Sequence, residues 1–80
     1  MKIAKSRLLK KWMMEREWFT THDLSVWGSK NWFHRADRQA REMTVNGELE
    51  RLNLSQQYHL GIVKPGANEI GAWRYIGGLK

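Results

Sequence analysis

The stretch WFTTHDLSVWGSKNWFHRADRQAREMTVNGELERL, running from Trp18 to Leu52, decides how this chain is read. Thr20 followed three positions later by Asp23 is a capping-box pattern, and Phe19 and Leu24 take the two flanking positions of a hydrophobic staple. A helix is therefore expected to start at about Thr21. Leu24 and Trp27 supply a single apolar turn before Gly28, which tolerates the left-handed conformation of a helix end, so the spacing predicts a short helix over 21–28. Ser29 or Asn31 is placed to cap the next one.

From Asn31 to Val45 the residues Trp32, Phe33, Ala36, Ala40 and Met43 recur at helical spacing and fall on one side of a cylinder. The small Ala36 and Ala40 suit close approach to a neighbouring element. The opposite side carries His34, Arg38 and Arg41, flanked by Arg35 and Glu42, and Asn46-Gly47 then supplies a left-handed stop. The pattern predicts a long helix over 31–46 with a basic stripe facing solvent.

On the N-terminal side, Leu8, Leu9, Trp12 and Met13 form the apolar face of a segment from Ile3 to Glu17 that is otherwise rich in Lys and Arg, which reads as an amphipathic helix over about 3–17 packed on the two that follow. On the C-terminal side the period changes. Glu50, Leu52 and Leu54 alternate with Arg51 and Asn53 as in a half-buried strand, and Ala72 to Ile76 is rich in strand formers. Tyr58 to Val63 reads as a further extended piece, and Lys64-Pro65-Gly66-Ala67 fits a type II turn. The simplest pairing sets 58–63 against 70–76 around a tip at Pro65 to Asn68, with 50–54 beside them.

The expected architecture is thus α+β, a single domain over 1–80 with three helices followed by a two- or three-stranded antiparallel hairpin over about 48–77. Eighty residues make a small core, and with no cysteine neither a disulfide nor a thiolate-bound metal reinforces it. Nine aromatic residues, five of them Trp, must supply much of the packing. Trp27 and Trp32, beside the turn, are the two most apt to lie outside the core and form a stacking or interface patch.

The net charge of +6 favours polyanionic partners. It is uneven, with +4 in residues 1–17 and +1 in each of 18–47 and 48–80. No apolar run approaches the length of a transmembrane helix, and the Lys-rich N-terminus lacks the apolar stretch of a signal peptide, so the expectation is a cytoplasmic protein of bacterial or phage type with no membrane partner. His22, His34 and His59 lack acidic or sulfur companions at ligand spacing, which argues against a metal. No nucleophile, paired carboxylates or phosphate-binding Gly loop occurs at a spacing that chemistry needs, so the chain reads as a non-enzyme without a cofactor.

Helix, short helix, turn, long helix and hairpin is an order that resembles the winged helix-turn-helix DNA-binding superfamily. WFTTHDL resembles the start of that family's second helix, RADRQAREMTVNGELERL its recognition helix running into the first wing strand, and AWRYIG its returning strand. The resemblance spans nearly the whole chain on loose patterns. It implies a small protein that binds double-stranded DNA, a transcriptional regulator or phage-type accessory factor, with the 31–46 helix in the major groove and the hairpin tip near an adjacent groove or backbone. By position, the groove-facing residues are Ser29, Lys30, Asn31, His34, Arg35 and Arg38. Arg35 or Arg38 suits a guanine edge and Asn31 an adenine edge, while Lys30, Arg41 and the tip residue Lys64 suit phosphates.

The winged scaffold also serves protein–protein contact, so the alternative reading is an adaptor or inhibitor module that anchors a protein partner through Trp27, Trp32 and the wing aromatics, with exposed Arg nearby. Pairing into a homodimer is compatible with either reading, since one such domain covers a short half-site.

Overall fold

The structure is a computed structural model that describes residues 4–77. It is an α+β fold in the order α1 (Lys5–Met14), β1 (Phe19–Thr20), α2 (Thr21–Lys30), α3 (Ala36–Val45), β2 (Leu49–Arg51), α4 (Leu54–His59) and β3 (Ala72–Tyr75). The three strands form one antiparallel sheet in the order β1-β3-β2, with Phe19 opposite Trp73 and Leu49 opposite Tyr75. No helix among the described residues is long and apolar enough to cross a membrane.

The start of α2 follows the local chemistry. The Thr20 hydroxyl accepts from the Asp23 amide at 3.2 Å while the Asp23 carboxylate accepts from the Thr20 amide at 3.0 Å, and the stapling pair Phe19 and Leu24 are both in the core. The core itself gathers Leu9 and Met13 from α1, Leu24 from α2, Ala36, Ala40 and Met43 from α3, and Phe19, Leu49 and Trp73 from the sheet. Aromatic rings run through it in sequence, from Phe33 to Trp27, Trp12, Phe19 and Trp73, with centroids 5.5–6.3 Å apart. Trp27 is therefore half-buried against the core, which corrects its expected place outside it. Trp32 is 79% exposed, as expected.

Three expected boundaries differ. Helix α2 runs through Gly28 to Lys30, because Gly28 is needed for proximity and not for its backbone freedom: a Cβ there would lie 2.6 Å from the Phe33 carbonyl oxygen. Helix α3 starts at Ala36 instead of Asn31, and Trp32 is not on its apolar side. Asn31 ends α2, its amide Nδ2 donating to the Trp27 carbonyl at 2.9 Å. Helix α1 ends at Met14, short of Glu17.

Helices α2, α3 and α4 close with the same hydrogen bond, from the second residue beyond the cap back to a carbonyl five residues earlier. The bonds are Phe33 to Gly28 at 2.9 Å, Glu48 to Met43 at 2.8 Å and Ile62 to Gln57 at 2.8 Å. The motif requires a left-handed residue just before each donor. Gly47 (φ 85°) and Gly61 (φ 77°) supply it for α3 and α4, but α2 uses Trp32 (φ 55°). A left-handed residue with a Cβ costs about 1–2 kcal/mol.

The segment after β2 is the largest correction. Tyr58 to Val63 is not a strand; residues 54–59 form α4, and β3 pairs with β2 and β1. Asn53 and Gln56 build a second capping box, with reciprocal hydrogen bonds of 2.8 Å each, and this local gain in helix outweighs a weak alternation in the sequence. The expected strand over 50–54 shortens to Leu49–Arg51 for the same reason. The turn at 64–67 forms as read, with Gly66 at φ 86° and the Ala67 amide donating to the Lys64 carbonyl at 3.0 Å, but it lies in a connection between α4 and β3 and not at the tip of a plain hairpin.

Candidate nucleic-acid interface

Helix α3 is seated by Ala36, Ala40 and Met43, all at most 5% exposed, and the small Ala36 and Ala40 side chains let it lie close to α2 and α1. What remains outward is fixed by the 3.6-residue period: Asp37, Arg38, Arg41, Glu42 and Val45 are all exposed. His34 and Arg35, in the turn that leads into the helix, are exposed as well. The structure thus gathers four of the sequence-chosen residues, His34, Arg35, Arg38 and Arg41, on and beside one face.

Two of these cations are held by carboxylates of the same helix. Arg41 Nη2 lies 3.2 Å from Asp37 Oδ2, and Arg38 Nε lies 3.7 Å from Glu42 Oε2. All four side chains are at least half exposed, and such pairs contribute about 0–1 kcal/mol, so a phosphate or base edge can displace either carboxylate at little cost. Arg35 makes no ion pair among the described residues.

Shallow clefts flank α3 on two sides. On one side Thr21, Ser25 and Ser29, exposed at helical i, i+4 and i+8 spacing along α2, face His34 and Asp37. On the other, Lys5 and Ser6 of α1 face Arg35, Arg38 and Gln39, and Gln39 Nε2 donates to the Ser6 carbonyl at 2.9 Å to join the two helices. Thr21, Ser25 and Lys5 are additions to the residues chosen from sequence, which already included Ser29. The 21-25-29 spacing is visible in the sequence, whereas the approach of Lys5 depends on how α1 crosses α3.

The remaining sequence-chosen residues are placed differently. Ser29 joins the cleft with His34, but Lys30 borders a separate surface with Trp12, Arg16 and Val26. Asn31 is half-buried and holds the end of α2, which leaves less of its amide for a base edge. Lys64 is exposed in the turn after α4, beside Leu54 and Tyr58 and away from both α3 clefts. Among the described residues Lys64, like Lys30, makes no ion pair.

Chemically, the surface offers guanidinium forks on α3, a helix of ten residues, with an imidazole in the turn before it and a row of hydroxyls on the neighbouring α2. Such a helix is about 15 Å long, and the major groove of B-DNA, about 12 Å wide, admits one. No family model, curated protein or solved structure matches this chain.

Proposed function

We propose that the protein is a small duplex-DNA-binding protein of the winged helix-turn-helix kind, with a regulatory or accessory role on DNA. The observation that carries this reading is the outward set His34, Arg35, Arg38 and Arg41, borne on α3 and the turn that leads into it, with the other side of the helix locked into the core. Helix α3 enters the major groove, Arg35 and Arg38 read base edges as bidentate donors, and Arg41 with the α2 hydroxyls holds phosphates. The connection between β2 and β3, which carries α4 and the Lys64 turn, takes the place of a plain wing. The net charge of +6 supports attraction to the duplex at long range.

Fluorescence anisotropy with a labelled mixed-sequence duplex, across a salt series, tests it. Several phosphate contacts require affinity to fall steeply with salt, by orders of magnitude between dilute and moderately salted buffer. In selection from a random duplex pool the wild type should enrich a motif, and Arg35→Ala with Arg38→Ala should abolish the enrichment. A chain that binds no duplex at low salt ends this reading. The protein-binding alternative keeps Trp32 and Tyr58 as exposed aromatic anchors, while Trp27 is half-buried against Trp12 and Phe33.

A further inference from the structure

We infer that Trp32 is a nucleic-acid contact residue, laying its indole on the sugar–phosphate edge of the strand beside the groove that α3 occupies, an inference that rests on the DNA-binding reading above. Three observations converge on it. The first is conformational: Trp32 holds the left-handed position that ends α2, where the same motif in α3 and α4 uses Gly47 and Gly61. Glycine at this position is the unstrained choice, so the indole is present against the preference of its own backbone.

The second is burial. A strained aromatic residue is ordinarily held by packing, but this side chain is 79% exposed and the adjoining turn is anchored without it, by Phe33 edge-on to Trp27 at 6.0 Å. Neither local geometry nor the core accounts for the ring. Strain retained without a packing return points to a contact made outside the chain.

The third is charge. Lys5 Nζ donates to the Trp32 carbonyl at 3.3 Å, and Arg35, three residues further on, lines the same cleft as Lys5. Neither of these two cations makes an ion pair among the described residues. The cleft beyond Lys5 adds Arg38 against a single carboxylate, Glu42. An apolar ring among unneutralised cations complements a nucleic-acid strand, whose backbone alternates apolar sugar carbons with anionic phosphates. It is less suited to a protein patch of mixed charge.

The test is Trp32→Gly, which removes the indole and relieves the backbone together. The variant should unfold at a higher urea concentration than wild type and bind a labelled mixed-sequence duplex about tenfold more weakly, with an unchanged salt slope because no charge is lost. Trp32→Phe should keep most of the affinity. The acrylamide-quenchable emission missing from Trp32→Phe should become shielded in wild type when duplex is added. Wild-type affinity in Trp32→Gly, or an indole equally quenchable in the complex, overturns this inference while leaving DNA binding by α3 intact. Failure of the wild type to bind duplex overturns both, as does capture of an acidic protein through Trp32 in preference to DNA.

Discussion

The Gln57 carboxamide pairs with both backbone polar groups of Ile70, Nε2 donating to its carbonyl at 2.7 Å and Oε1 accepting from its amide at 3.0 Å. A side chain thus stands where a neighbouring strand would. The other hydrogen of Nε2 goes to the Leu52 carbonyl at 3.0 Å, and the residue is fully buried. Helix α4 thereby fastens both ends of the connection between β2 and β3 from the inside.

Gln57→Ala leaves the Ile70 amide and the Leu52 carbonyl without this partner and the Ile70 carbonyl with only the Arg51 guanidinium at 3.3 Å, and each buried group left unpaired costs on the order of 1–3 kcal/mol. Gln57→Glu should be destabilising too, since an ionised carboxylate has no hydrogen for the two carbonyls. Urea denaturation reads the loss, and faster exchange of the Ile70 amide localises it. Unchanged exchange at Ile70 would show that the latch is dispensable.

For Gly28, helix propensity and packing give opposite signs. Alanine in a helix interior is favoured by about 1 kcal/mol over glycine. A Cβ 2.6 Å from the Phe33 carbonyl oxygen forces a backbone shift that costs about 1–3 kcal/mol, so Gly28→Ala is expected to destabilise on balance. Chemical denaturation of the single variant decides the sign.

Glu42 sits at the start of the last turn of α3, where the helix dipole disfavours negative charge, and it follows its partner Arg38 in the less favourable order. Its only ion pair among the described residues is this exposed one with Arg38, at 3.7 Å. Glu42→Gln should raise stability slightly, by about 0.3–1 kcal/mol, and should raise affinity for mixed-sequence duplex several-fold by freeing Arg38. Titration of the variant by anisotropy checks the second expectation; an unchanged affinity places Glu42 outside the interface.

Lys10 Nζ lies 2.7 Å from Glu48 Oε1, and that hydrogen bond and charge raise the lysine pKa above its ordinary value. A pKa raised on folding stabilises the native state fully below the unfolded value and loses that contribution as pH climbs through the folded one. Wild type should therefore exceed Lys10→Met in stability by a constant margin at neutral and mildly alkaline pH, and the margin should shrink as pH climbs through the raised lysine pKa. Urea midpoints at several alkaline pH values measure it.

What was legible in the sequence is what neighbouring residues settle among themselves. The Thr20–Asp23 box, the Asn46-Gly47 stop and the Pro65-Gly66 turn are all closed within a few residues, and each forms as read. The seating of α3 and the exposure of Arg38 and Arg41 follow from a strong helical period. Gly28 is misread because its reason is the Phe33 carbonyl, brought against it only after the turn has formed. The apolar period runs on through Trp32 and Phe33 since Phe33 packs inward from the turn as well as it would from a helix. Helix α4 has a local signal in the capping pair Asn53 and Gln56, three positions apart, but the strand-forming Tyr58, Ile62 and Val63 that follow mask it. The two-residue β1 carries no period at all, and the clefts beside α3 depend on helices meeting in space.

Strand β3 lies in the middle of the sheet yet is reached last along the chain. Phe19, Thr20 and Leu49 to Arg51 have nothing to pair with until residues 72–75 have been added, so during synthesis the helices can gather while the sheet waits. A nascent chain stopped short of Ala72 loses the plank between two edges, leaving both unpaired strands open to a stranger's backbone. Cutting back from this side should therefore be felt as misassembly well before it is felt as weaker grip on a ligand.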